Sequence, residues 1–400
     1  MMKRTIFSTL CSILAVVVIV AVVLSISNAA VPEYTSLSGY EYTGEKVKGE
    51  AIIRSAAEED DTIFLFGSSE LSTTMIKSHP ANFFTEYDFG FDVCTVGRGS
   101  SQSLIHALIL AGNGESLRGK KVVFMISPQH FVEDGIAPDM FVANFSEQQY
   151  LDAMMSDELV EESKLFLSTR VRDCFDLYES EYEDPGFESS RRLAKQVLNN
   201  GTDIPAVGYL LMKPYYAFES VLYTIRDNVT ASKVIKGFED VKGTAVTDFD
   251  WDTYRQEMIG LGAVESDNNE FGILNDYYNT NIGKKLARME NKDADLSYSV
   301  SQEYEDLQNL IWLCDTFEID ALFVHTPLHG AWSDYCGFTA DERLEYYDNV
   351  RAILDESGYD YLDLTAKEYD SYYLCDVMHI GWLGWVDINE AICEFYYEDK

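Results

Sequence analysis

The chain has 400 residues, 46% of them hydrophobic and 13% aromatic, the makeup of one large or two ordinary globular domains and not of a disordered chain. Its 30 basic and 68 acidic residues sum to −38, which argues against a nucleic-acid partner and against a peripheral protein held by anionic lipid headgroups.

The N-terminus is the most biased segment. Residues 1–5 carry Lys3 and Arg4, and residues 6–26 are uncharged and rich in Val, Ile and Leu, long enough to span a bilayer. Positive residues before the apolar run and Glu33 after it predict a cytoplasmic N-terminus with the bulk of the chain outside the membrane. Ser27 and Ala29 are spaced like a signal-peptidase site, but a secretory apolar core is shorter, so an uncleaved single-pass anchor is the favoured reading. Residues 27–60 are polar and read as a spacer.

Short apolar runs then alternate with helix-like stretches. Thr62–Phe66, Asp92–Val96, Lys121–Ile126, Asp320–Val324 and Tyr359–Leu364 read as strands, and Trp385–Tyr396 as a closing amphipathic helix. The pattern predicts an α/β protein with a parallel five-stranded sheet covered on both faces, in a domain formed by residues 61–127 and 319–400. Residues 128–318 are too many for one crossover and read as a helix-rich insertion that caps the active edge or forms a partner surface. Of seven cysteines, Cys11 falls in the apolar run; the six others are scattered and leave both disulfides and plain buried thiols open.

In such a sheet, chemistry sits at the carboxyl ends of the strands. The first run stops at Gly67-Ser68-Ser69-Glu70, either a simple helix-capping turn or a nucleophile on a tight strand-to-helix turn. A serine nucleophile needs a base and a group to orient that base. Among six histidines, His379 stands out because Asp376 precedes it by three residues in a loop between the last strand and last helix. Ser69, His379 and Asp376 are therefore the candidate triad. Oxyanion donors are sought at the Ser69 amide, if Ser69 opens a helix, at Gly97 or Gly99 after the second strand, and at the Gln102 side chain. Arg98 offers a local basic groove, and His130 in "SPQHF" is either a pocket-lining residue or a structural histidine. His325 and His329 in "HTPLH" have a metal-type spacing that Pro327 disfavours in a helix. "GRGSS" lacks the lysine of a phosphate-binding loop. No metal and no cofactor is expected.

"FGSSEL", "GRGSSQSLIHAL", "SPQHF", "FSEQQ", "NDYY", "SQEYEDLQ", "HTPLHGAWSDYCGF" and "DVMHIGWLGWVDINEAI", in this order from the anchor to the final helix, resemble the DltD family of D-alanyl-lipoteichoic acid biosynthesis, itself related to the SGNH (GDSL-like) hydrolases. The resemblance implies a three-layer α/β/α fold and D-alanyl transfer to lipoteichoic or wall teichoic acid. It puts Ser69 at the nucleophile, Asp376 and His379 at the closing DxxH, and Gly99 or Gly97 near the second oxyanion donor. Ser68 stands where SGNH hydrolases carry aspartate, and "SPQHF" has no counterpart of their asparagine block. The partners it implies are the teichoic acid polymer, a D-alanyl donor, the membrane O-acyltransferase DltB, a small membrane peptide and, indirectly, the carrier protein DltC. Rival readings are a surface esterase or thioesterase using the same residues, and a non-catalytic scaffold for the D-alanylation complex.

Overall fold

A computed structural model describes residues 2–34, 43–133, 135–183, 186–198, 205–237 and 243–398. Five parallel strands form the central sheet: β1 (Thr62–Phe66), β2 (Asp92–Val96), β3 (Lys121–Ile126), β4 (Asp320–His325) and β5 (Asp360–Asp363), in the order β2-β1-β3-β4-β5. Phe64 pairs with Cys94 on one side and Val122 on the other, and Val123 continues the ladder to Leu322. The three central strands, β1, β3 and β4, are apolar through their middles because both faces are covered. Side-chain alternation sends Phe64, Phe66, Val96, Phe124 and Phe323 into one core and Ile63, Leu65, Val93, Met125 and Val324 into the other.

Helices Ala51–Ala57, Ser103–Leu117, Gln302–Thr316 and Ala340–Ser357 bury residues in the first core. Pro80–Glu86, Trp251–Glu265 and Trp382–Tyr397 do so in the second, giving three layers. The closing helix begins three residues before its expected start, with Gly381 at its N-cap.

Two organisational expectations need correction. Part of the anticipated spacer over 27–60, residues 35–42, lies outside the described residues. After it, Thr43–Lys48 and Ala51–Ala57 are helical, and Val47, Ala51, Ile52, Ile53 and Ala56 are buried in the core. Burying that apolar set outweighs the polar look of the segment. The anticipated insertion over 128–318 is likewise not a separate cap throughout. Gln302–Thr316 lies against Ser103–Leu117 with Leu307, Leu310, Leu313 and Cys314 buried, so it belongs to the layer that covers the sheet.

All seven cysteines are unpaired; the six outside the N-terminal helix are buried. Among the described residues, Ile6–Asn28 is the one helix long and apolar enough to cross a membrane.

Candidate active site

The site begins where β1 meets β2. The Gly67 amide donates to Val96 O at 3.0 Å. Gly97 follows with φ +132°, and a Cβ there would stand 1.8 Å from the Gly67 carbonyl oxygen. Only glycine fits both the dihedral and the approach. The structure thus gives Gly97 the job of letting two strand ends abut.

Beyond Gly67 the chain does not enter a long helix. Ser69–Ser72 is a single 3₁₀ turn, and the next α-helix waits until Pro80, capped by His79. The expected helix N-terminus at Ser69 is corrected: Ser72, Thr73 and Thr74 favour side-chain-to-backbone bonding over helix continuation, and Thr73 Oγ1 donates to Ser69 O. The anion-favouring dipole there is that of one turn only.

Ser69 lies between buried Ser68 and Glu70 and keeps partial exposure. Its Oγ is 2.8 Å from His379 Nε2, and His379 Nδ1 is 2.7 Å from Asp376 Oδ2. The other carboxylate oxygen, Oδ1, accepts the amides of Met378 and His379. The loop is closed by the Cys375 amide on His379 O and by a bridge between Leu374 and Ile380. Burial opposes charge on the His379 imidazole, but the hydrogen bond and charge of Asp376, with Glu70 nearby, outweigh it and hold its pKa above the ordinary value.

Each of the four residues 67–70 is held by its own histidine. His106 Nε2 donates to Gly67 O at 3.1 Å. His130 Nε2 is 3.2 Å from Ser68 Oγ, His379 takes Ser69, and His79 Nε2 donates to Glu70 O at 3.1 Å. Burial lowers the pKa of His79, His106 and His130 to about 4, so these three are neutral supports at neutral pH while His379 alone is tuned upward. Glu70 completes the clamp: Oε1 accepts the Ser68 amide at 2.6 Å and Oε2 accepts Ser127 Oγ, from the end of β3. Burial raises its pKa against the pull of these bonds.

The remaining candidates divide. A Cβ on Gly99 would lie 3.9 Å from Ser69 Cβ, so Gly99 flanks the serine. Gln102 is buried, and neither its side-chain oxygen nor its nitrogen has a hydrogen-bond partner. Arg98 gives Nε to Asn144 Oδ1 at 2.6 Å and a terminal nitrogen to Ala143 O at 2.5 Å, so most of its guanidinium braces the loop instead of forming an open basic groove. Asn144 Nδ2 also donates to Gly99 O. His130 serves Ser68, not the serine beside it.

Among the described residues no cluster of three or more His, Cys, Asp or Glu side chains is arranged to hold a metal. His329 caps the helix Gly330–Cys336 and bonds to Phe271 O, and His325 is buried with both ring nitrogens unpartnered. A cavity of about 280 Å³, lined by Gln129, Tyr277, Trp332, Val377 and Met378, opens between the His379 loop and the end of β3.

Sequence reasoning missed Glu70, His79, His106 and Asn144. Two had a signal. His106 is a lone imidazole in the apolar run Leu104–Ala111, and Glu70 adjoins the candidate serine. Both needed a buried partner, which only the fold identifies.

A parallel, doubly covered sheet with a hydroxyl, an imidazole and a carboxylate in hydrogen-bond sequence at its carboxyl edge defines the class as a three-layer α/β protein. The chain matches the family described as DltD protein over residues 39–397. It is 32% identical over 339 residues to Protein DltD of Bacillus subtilis (strain 168), covering 84% of this chain and 82% of that one. It is 25% identical over 352 residues to Protein DltD of Staphylococcus aureus (strain NCTC 8325 / PS 47), covering 88% and 85%. With Protein DltD of Lacticaseibacillus rhamnosus it shares 26% over 362 residues, covering 88% and 82%. The chain belongs to the DltD family.

Proposed function

We propose that this protein carries out D-alanylation of teichoic acid through a covalent D-alanyl ester on Ser69, with His379 as general base and acid and Asp376 holding its tautomer. Membership of the DltD family gives the process. The observation that carries the mechanism is the unbroken relay from Ser69 Oγ through His379 to Asp376, at 2.8 and 2.7 Å.

In the first half-reaction, His379 Nε2 takes the Ser69 proton as Oγ attacks the carbonyl carbon of a D-alanyl ester or thioester. The tetrahedral intermediate collapses, the bond to the donor's oxygen or sulfur breaks, and His379 returns the proton to that leaving group. In the second half, His379 deprotonates a polymer hydroxyl. That oxygen attacks the acyl-serine, and Ser69 departs with the proton. The oxyanion is assigned to the Ser69 amide, the backbone at Gly99 and the unpaired side-chain amide of Gln102. No cofactor enters either step.

Ile6–Asn28 is read as an uncleaved anchor, with Lys3 and Arg4 on the cytoplasmic side and the α/β body outside. The membrane O-acyltransferase DltB, a small membrane peptide and, through them, the carrier protein DltC are the proposed partners. Tethering beside such partners answers an electrostatic problem: at −38 the chain cannot draw a polyanionic polymer by long-range attraction.

The test is intact-mass analysis of the full chain after exposure to a D-alanyl donor. Wild type should carry one alanyl ester at Ser69, and Ser69→Ala none, with transfer to polymer reduced by at least about 10³-fold. Unchanged transfer by the alanine variant overturns the mechanism.

A further inference from the structure

One face of the helix Pro205–Lys236 has no cover in the fold. Leu211, Tyr215, Phe218, Leu222 and Val229 are exposed and recur at the three- and four-residue steps of a single stripe. Arg226, Lys233 and Lys236 are exposed along the same helix. Its two acids are engaged with the body instead: Glu219 accepts from Ser189, and Asp227 accepts the amides of Glu50 and Ala51. A chain of net charge −38 therefore bears a face that is apolar and cationic.

That helix is fastened to the end of the N-terminal apolar helix. Asn228 Nδ2 donates to Ser27 Oγ at 3.1 Å and to Asn28 Oδ1 at 2.6 Å, and Ser232 Oγ donates to Ala30 O at 2.9 Å. Asn228 meets residues 27–28 at the end of the N-terminal helix and Ser232 meets residue 30 just beyond it, so at this junction the two segments advance in the same sense. The apolar stripe, which mostly precedes Asn228, lies on the span's side of this junction. Val20, Leu24 and Ser27, one face of the N-terminal helix, are shielded while the residues around them are exposed.

We propose that this face lies in the bilayer interface beside the anchor, with the apolar stripe among the upper acyl chains and Arg226, Lys233 and Lys236 on the phosphates of anionic lipids. The proposal rests on reading Ile6–Asn28 as a membrane anchor. Ser220 and Tyr223 tie the helix to Asp152 and Glu147 of the body. A second membrane contact of this kind would fix the tilt of the whole α/β unit, which a single span leaves free to swivel. The overall charge argued against lipid headgroups as partners; a local face of opposite character escapes that argument because charges beyond about 8 Å are screened at physiological salt.

The test uses the full chain with Cys11→Ser, the other cysteines being buried. Single cysteines replace Leu211, Phe218 or Leu222, with Ile13→Cys in the span and Glu345→Cys on a remote helix as references. Each is labelled with an environment-sensitive fluorophore in nanodiscs of mixed phosphatidylglycerol and phosphatidylcholine containing doxyl-quencher lipids. The stripe labels should be quenched at least about threefold more than the Glu345→Cys label. Lys233→Glu with Lys236→Glu, or removal of phosphatidylglycerol, should weaken that quenching. Stripe labels as unquenched as the remote site, beside a quenched Ile13→Cys label, overturn the proposal and leave the anchor standing. An unquenched Ile13→Cys label overturns the anchor reading and the proposal with it. Labels hidden from aqueous iodide yet untouched by lipid quenchers mean that a protein covers the face, which also overturns it.

Discussion

His379 and the three other histidines around residues 67–70 differ in one respect, the presence of a carboxylate partner, and this shifts their pKa values in opposite directions. On the proposed mechanism the base is neutral His379, so kcat/KM should rise with pH through a pKa above about 6.5, the ordinary histidine value. Asp376→Asn removes the stabilising charge and leaves burial to act. The midpoint of the residual activity should then move down, with a loss of about 10³ to 10⁴-fold. A pH–rate profile of both proteins checks this. His79, His106 and His130 have depressed pKa values, so their contribution to stability is complete above pH 6.5 and is lost as pH falls toward 4. Each is worth up to about 3 kcal/mol across that window. Urea unfolding at pH 7 and pH 4.5 should show a loss that shrinks when His106 is replaced by a neutral donor such as Gln. Of the triad candidates, Ser69 was legible because polar residues ended an apolar run, and Asp376 and His379 because they stand three residues apart in the loop before the last helix. The three supporting histidines were not, because their partners are backbone carbonyls and a hydroxyl brought in by folding.

At the scale of elements, the end of β1 is held by glycine geometry. Gly97→Ala drives a Cβ into the Gly67 carbonyl at a φ of +132°, with no flexible side chain to yield. It should cost more than about 3 kcal/mol and abolish acylation. Gly119, also at positive φ but with nothing near its virtual Cβ, is the control: Gly119→Ala should cost only about 1 kcal/mol. Thermal melts of the two variants make the comparison. Asn144 binds both Arg98 and Gly99, so Asn144→Ala should loosen the loop beside Ser69 and lower kcat about 10 to 100-fold while Tm changes little. The strands were legible from their apolar runs, and β4 differs from expectation only by including His325. The turn after Ser68 was misread as a helix because Gly-Ser-Ser-Glu suits either structure, and local propensity cannot tell a 3₁₀ turn from a helix start.

For the whole molecule, a net charge of −38 makes self-repulsion a standing cost of the compact state. Ion pairs such as Arg170 with Asp306 and the buried Arg343 with Glu368 offset it locally. Raising ionic strength from about 0.01 to about 0.15 M shortens the screening length from about 30 to about 8 Å and should raise Tm by a few degrees. Calorimetry of the full chain in detergent at the two salts is the check. A fall in Tm would mean that the ion pairs outweigh the repulsion.

The order of apolar runs along the chain, by itself, determined a parallel five-stranded α/β core, one N-terminal apolar helix and the candidate trio Ser69, His379 and Asp376. Periodicity and strand-end chemistry are local properties, and local order suffices to write them. Tertiary structure alone decided what supports that trio, that residues 43–57 join the core, and that one face of the Pro205–Lys236 helix stays bare beside the N-terminal apolar helix. Each of these depends on which distant segments share a volume and leave water together, and burial is a property of the packed chain, not of any window along it.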